Sequence, residues 1–327
     1  MNYYTQKRYH AVAEAYPDKQ WLTHYHATIP AYRRWFASEG ELKRPALQQC
    51  REAMQTYMPE MVPLWEHLIE LGNVAENDAR LLSFYCPATY HSGCSQAVWT
   101  RYTPTLVRNY DYAPEFCEGR IMKTRWHDTR VIASTDCLWG VLDGMNEHGL
   151  SVSLAFAGQE SVTEGFAMPI ILRYVLEFCS TVDEAVKVLC RVPSHMAYNI
   201  TLLDAYGQVR TVELTPFCAP GITYKPLAVN HQGDFDLTNY AMFSRSYERQ
   251  QFIMARLNDP LSSVESFVNS FEFNPLYAHN YAQGFGTLYT AIYNPQLRAM
   301  EYRWPKGVRM YQSFAFFEEA EVWVDLS

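Results

Sequence analysis

The sequence predicts an α+β fold of layered sheets and helices. Three observations point there: a helix-patterned first ninety residues, a succession of short strand-like segments from residue 94 on, and later blocks in which helices and strands return in turn. No G-x-G-x-x-G or Walker loop follows a strand-like segment, so a doubly wound nucleotide-binding sheet finds no support.

The helical pattern spans residues 10–85. Trp21, Tyr25, Ile29, Tyr32 and Trp35/Phe36 recur every three or four positions, as do Leu47, Met54 and Met58, and then Leu64, Leu68 and Leu71. Their helical spacing assigns the aromatic side chains to core packing rather than to a stacking surface. Pro45 suits a first helical turn, Gly72-Asn73 a helix end, and Asn77 the cap of a short last helix before Pro87.

From residue 94 the texture changes. Segments 95–99, 105–109, 120–126, 131–134, 139–142 and 150–156 read as strands separated by turn residues. Helices at 169–179 and 182–189 follow, the second capped by Ser180 or Thr181. Strands return at 199–203 and 209–214, helices at 240–257 and 264–271, and paired strands at 287–293 and 300–304 around Asn294-Pro295.

Composition narrows the function classes. The 327 residues are 48% hydrophobic, enough to fill a sizeable core. The net charge of −8 comes from dispersed acids with no basic stripe, so nucleic acid is not an expected partner. The start lacks an apolar signal, and no window approaches the roughly 18 apolar residues of a membrane span, so a soluble, cytoplasmic protein is expected. Eight cysteines, at 50, 86, 94, 117, 137, 179, 190 and 218, stand apart without a C-x-x-C pair. His127, His148 and His195 lack ligand spacing, so neither a metal site nor a disulfide framework is expected.

Several segments carry chemistry only when taken together. They are Gly93-Cys94-Ser95-Gln96-Ala97, Arg108-Asn109-Tyr110-Asp111, Gly144-Met145-Asn146-Glu147-His148-Gly149-Leu150, Val229-Asn230-His231, a helix holding Ser244-Arg245-Ser246-Tyr247-Glu248-Arg249, and Thr287-Leu288-Tyr289. Alone, Cys94 reads as a buried thiol and Asn146 to Gly149 as a turn. In this order they resemble the choloylglycine hydrolases (bile salt hydrolase, penicillin V acylase) and penicillin acyltransferases among the cysteine N-terminal-nucleophile (Ntn) hydrolases. The resemblance runs from Cys94 to the end. The helical segment ahead of it is similar to the prosegment of the acyl-CoA:6-aminopenicillanic acid acyltransferase branch.

The resemblance implies an αββα four-layer Ntn sandwich, with residues 1–93 as a helical prosegment and 94–327 as the catalytic domain. It also implies self-cleavage between Gly93 and Cys94, into pieces of 93 and 234 residues. A nucleophile at a chain start has its own α-amino group, with a reference pKa of about 7.7–8.0, beside it as a base. Within the resemblance, Asp111 holds that amino group. Arg108 favours the thiolate and keeps Asp111 ionised. Asn146 and Asn230 take the oxyanion positions. The late arginine is Arg245, ahead of Arg249, which lies one turn away on the same predicted helix.

The implied function is a hydrolase or acyltransferase acting on a linear, non-peptide amide or acyl thioester through an acyl-Cys94 intermediate. The alternative is a catalytically silent, unprocessed binding protein on the same scaffold. No cofactor is expected, and a coenzyme A thioester enters only as an acyl donor. The expected partners are the small acyl substrate and the cleaved prosegment, held as a heterodimer; a homo-oligomer stays open.

Overall fold

The computed structural model describes residues 6–233, 239–283 and 285–326. The N-terminal part holds strand β1 (Gln6–Glu14) and helices α1 (Lys19–Phe36), α2 (Leu47–Tyr57), α3 (Val62–Gly72) and α4 (Glu76–Ser83). Helix α1 buries Trp21, Tyr25, Ile29 and Phe36, the stripe read from the sequence. Asn73 ends α3 in the left-handed conformation, whereas α4 is capped by Ala75 and not by Asn77.

Strands follow as β2 (Gly93–Trp99), β3 (Thr105–Tyr112), β4 (Arg120–Thr124), β5 (Val131–Asp136), β6 (Gly140–Asn146) and β7 (Ser151–Phe156). Helices α5 (Met168–Phe178) and α6 (Val182–Arg191) come next, α6 capped by Thr181, whose hydroxyl accepts from Glu184 N. Then come β8 (Tyr198–Leu203), β9 (Val209–Leu214), β10 (Gly221–Thr223), β11 (Leu227–Ala228), α7 (Asn239–Phe243), α8 (Ser246–Asn258) and α9 (Val264–Ser270). The chain closes with β12 (His279–Asn280), β13 (Phe285–Asn294), β14 (Ala299–Arg303), β15 (Arg309–Ser313) and β16 (Ala320–Asp325).

Two sheets lie face to face. One runs β10-β9-β8-β7-β6-β5-β4-β1-β16 and the other β11-β2-β3-β13-β14-β15, with β12 paired to β13. Helices α5 and α6 cover the first sheet, α5 against β6 and β7, α6 against β8 and β9. The second is covered by α8 and α9, where Phe267, Phe271 and Ile253 pack on Ala97, Trp99 and Val107. The expected α+β sandwich of helix, sheet, sheet and helix is therefore present.

The N-terminal part is not purely helical, which corrects the sequence expectation. Strand β1 lies inside the larger sheet, parallel to β4 with His10 opposite Arg120 and antiparallel to β16 with Gln6 opposite Asp325. Its partners are more than a hundred residues away, and its mixed sequence Gln-Lys-Arg-Tyr-His-Ala-Val-Ala-Glu carries only a weak strand signal. A second correction concerns the helix expected over 240–257. It is broken at Arg245, whose φ of 53° is left-handed, separating α7 from α8.

Candidate active site

Cys94 lies on the second residue of β2, fully buried, and pairs with Tyr110 of β3. Strand alternation sends Cys94, Gln96, Arg108 and Tyr110 toward the facing sheet and Ser95, Asn109 and Asp111 toward α8 and α9. Arg108 Nη2 donates to Cys94 Sγ at 3.1 Å, and its Nε donates to Leu154 O at 3.1 Å. Its Nη1 forms a buried ion pair with Asp143. Asp143 also accepts from Tyr289 Oη at 2.7 Å and Tyr293 Oη at 2.5 Å, so the arginine is held by a saturated carboxylate.

Around the backbone of Cys94 sits a second group. Cys94 N donates to Asn230 Oδ1 at 3.0 Å. Arg249 Nη1 donates to Cys94 O at 2.7 Å and Ser95 Oγ at 2.9 Å, and its Nη2 donates to Asn230 Oδ1 at 2.6 Å. Asn230 Nδ2 donates to Phe156 O at 2.7 Å and Ser92 O at 3.3 Å, and Asn230 N donates to Ser246 Oγ at 2.9 Å. The backbone of Cys94 is thus gripped from the α8 side, its N–H by Asn230 and its carbonyl by Arg249.

Asp111 is opposite Gly93 across the β2–β3 pair. Its Oδ1 accepts from Thr287 Oγ1 at 2.7 Å, Arg249 lies 3.7 Å from Oδ2, and that Oδ2 has no hydrogen-bond partner among the described residues. Burial pushes the Asp111 carboxyl above its usual range, against the pull of Arg249 and the Thr287 hydroxyl. Burial also pushes the Cys94 thiol up; Arg108 draws it back down and Asp111 opposes that.

The structure separates the sequence-expected residues into three groups. Cys94, Arg108, Asp111 and Asn230 converge with Gly93. The expected Arg108–Asp111 couple does not form, because three positions along a strand point the two side chains to opposite faces; Arg249 is the near cation of Asp111.

Asn146 lies elsewhere, at the end of β6 where the β6–β7 turn begins. Its Nδ2 donates to Leu176 O at 3.0 Å and Cys179 O at 2.6 Å, and its Oδ1 accepts from His148 N and Leu150 N, both at 3.1 Å. With all its amide groups engaged, it ties the turn to the end of α5. Arg245 is also displaced: half exposed, it pairs with Glu248 and Asn274 on the surface. The helix break shifts the phase by which it and Arg249 would have shared a face, and Arg249 alone reaches Cys94.

Asp143 belongs to the candidate site from outside the segments singled out in the sequence, and Ser95, Thr287 and Tyr289 belong to it from within them, without an individual role assigned there. Asp143 did leave a trace, as an acid inside the apolar run Gly-Val-Leu-Asp-Gly-Met that needs a buried partner. Elsewhere, the eight cysteines are unbridged, with Cys190 and Cys218 exposed. Among the described residues no group of three or more His, Cys, Asp or Glu is placed to hold a metal ion, and no helix is long and apolar enough to cross a membrane.

Comparison with known proteins adds the family. No curated protein matches the chain. Solved structures similar to it include a penicillin V acylase from Agrobacterium tumefaciens (13% identity, 72% of this chain and 92% of that one, TM-score 0.46). A mutant conjugated bile acid hydrolase from Clostridium perfringens gives 12% identity, 70% and 96% coverage and a TM-score of 0.47. A Caenorhabditis elegans ortholog of N-acylethanolamine-hydrolyzing acid amidase gives 16%, 70% and 98%, and 0.45. The family described as "Acyl-coenzyme A:6-aminopenicillanic acid acyl-transferase" matches residues 99–308, a span that begins just after Cys94 and takes in Arg108, Asp111, Asn230 and Arg249. With more than half of the sequence matched, the chain belongs to the acyl-coenzyme A:6-aminopenicillanic acid acyl-transferase family.

Proposed function

We propose that the chain is a self-activating cysteine Ntn enzyme that carries an acyl group on Cys94 and passes it to water or to an amine. The observation that carries this reading is the Arg108 guanidinium 3.1 Å from the Cys94 sulfur, with the Cys94 N–H held by Asn230.

In the precursor, Cys94 Sγ adds to the Gly93 carbonyl carbon, the carbon–nitrogen bond breaks, and the Cys94 nitrogen takes the proton. Water then hydrolyses the thioester to a Gly93 carboxylate and a free Cys94 thiol with its α-amino group. Asn230 Oδ1, already the acceptor of this nitrogen, keeps it oriented. The vacant Oδ2 of Asp111 supplies the negative charge for the ammonium form, and Arg249 balances that charge.

In turnover the α-amino group takes the thiol proton, and Arg108 stabilises the thiolate. The sulfur adds to the acyl carbon of a linear amide or thioester, and the leaving amine or thiol receives the proton from the Cys94 ammonium. Water or an acceptor amine then attacks the acyl-Cys94 carbonyl. Asn230 Nδ2, freed from Ser92 O once the tail departs, donates to the oxyanion. A coenzyme A thioester is an acyl donor in this scheme, and no resident cofactor takes part. Residues 1–93 remain as the smaller subunit of a heterodimer with 94–327.

The test is the intact mass and amino-terminal sequence of the purified protein. Wild type gives two pieces, the larger starting Cys-Ser-Gln-Ala-Val; Cys94→Ala stays a single chain and has no turnover. Turnover retained in Cys94→Ala refutes the reading. Product analysis with and without an acceptor amine separates transfer from hydrolysis.

A further inference from the structure

Gly93 has no room for a side chain. A Cβ of L geometry there falls 2.3 and 2.4 Å from Cζ and Cε2 of Phe285, and 3.1 Å from Asp111 Cβ. Its φ is not left-handed, so what requires glycine is space rather than backbone torsion. The ring has little freedom to withdraw. Phe285 is buried at the start of β13, Gly286 beside it is paired with Tyr112 of β3, and Phe243 packs edge-on to the ring at 5.3 Å.

If Cys94 is the acyl-carrying nucleophile, Gly93 is the first acyl group the enzyme bears. The processing thioester joins Sγ to the Gly93 carbonyl carbon, and the next atom is a CH₂. A substrate thioester on the same sulfur places its carbonyl and its α-carbon in the same positions. Beyond them the tail shows where the rest of an acyl group runs: Ser92 O lies against Asn230 Nδ2 and the His91 ring stacks on Phe156 at 4.8 Å.

We propose that Phe285 is a specificity-determining residue that discriminates against acyl groups, presented as amides or thioesters, whose α-carbon carries a substituent in the direction of an L-residue's Cβ, and so favours unbranched R–CH₂–CO– groups over that enantiomer. Substituents in the direction of an L-residue's Cβ are excluded by the ring. The inference rests on the reading of Cys94 above, and it adds a stereochemical rule that the family name does not contain.

Two measurements test it. The first needs no substrate: Gly93→Ala slows self-cleavage by at least about tenfold, as expected for one methyl group forced into a filled site, and Gly93→Ala/Phe285→Ala restores it. The second uses mature wild type on 4-nitroanilides of 3-phenylpropanoic acid and of the two enantiomers of 2-methyl-3-phenylpropanoic acid. The enantiomer whose methyl takes the L-Cβ direction loses about 10- to 200-fold in kcat/KM, the other loses less, and Phe285→Ala narrows that ratio.

Phe285→Leu, which keeps apolar volume but removes the ring edge, is read in the same way should Phe285→Ala fail to fold. Equal turnover of the parent and both enantiomers by wild type overturns the inference and leaves Cys94 as nucleophile. A ratio that neither Phe285 variant changes does the same. A wild type that neither cleaves itself nor turns over any anilide overturns the underlying reading, and this inference with it.

Discussion

Arg249 serves four acceptors with one guanidinium: Ser244 O at 2.8 Å, Cys94 O, Ser95 Oγ and Asn230 Oδ1. It is also the near cation of the buried Asp111. Arg249→Met keeps the length but leaves that carboxylate alone in the interior. A loss of about 3–5 kcal/mol is expected in urea unfolding, together with loss of self-cleavage. Arg245→Ala removes only exposed contacts with Glu248 and Asn274, and a change of at most about 1 kcal/mol with normal cleavage is expected. Asn146→Ala strands the carbonyls of Leu176 and Cys179, so stability falls by about 1–3 kcal/mol. Turnover per folded molecule should stay at the wild-type value; a selective fall in kcat would return Asn146 to the catalytic set.

Between elements, α1 is clamped to the larger sheet by a cluster of acids. Tyr32 Oη lies 2.5 Å from Glu118 Oε1 and 2.7 Å from Asp136 Oδ1, and His24 Nε2 lies 2.6 Å from Glu118 Oε2. One hydroxyl hydrogen cannot satisfy two carboxylates, so the second contact needs a carboxyl proton. Burial and the charge of Glu118 push Asp136 well above its usual range, which places that proton there. Burial pushes Glu118 up as well, but His24, Tyr32 and Leu138 N outweigh it and bring it down to about 2. The signs then differ. Glu118 contributes stability that is full above about pH 4.3 and lost as pH falls toward 2. Asp136 contributes stability that is full below about pH 3.9 and lost as pH rises through its raised folded value. Asp136→Asn, which mimics the protonated form, is expected to remove the alkaline-side decline in Tm and keep the acid limb. A thermal-melt series in which the variant keeps the wild-type slope would refute this assignment.

Over the whole molecule, β1 makes the N-terminal part inseparable from the rest. It lies between β4 and β16, and removing it would open edges on both neighbours. Trp21 Nε1 donates to Leu138 O at 3.1 Å and Trp139 Nε1 to Leu82 O at 3.0 Å, so the helices dock through buried bonds on the same sheet. The proposed cleavage after Gly93 would therefore sever a covalent link without severing the fold. The two pieces are expected to co-elute in native size exclusion and to part only in denaturant; separation under native conditions would contradict the placement of β1.

What the sequence determined by itself is local or ordered along the chain. Helical spacing identified α1 to α4, alternation and turn residues identified most strands from β2 on, and motif order singled out Gly93-Cys94, Arg108, Asp111 and Asn230, which lie together in the candidate site. The α+β class followed from the same patterns, and membership of the acyl-coenzyme A:6-aminopenicillanic acid acyl-transferase family agrees with the resemblance. Tertiary structure decided the rest. The insertion of β1 depends on partners at 120–124 and 320–325 that no local pattern reveals. The choice of Arg249 over Arg245 depends on a helix break at one left-handed residue. The role of Asn146 depends on where α5 ends, and the cation beside Asp111 depends on which face of β3 meets α8. Periodicity fixes which way a side chain points within its own element, but contacts between side chains are set by how separate elements pack. A motif can therefore point to a candidate cysteine and still misplace the residues around it.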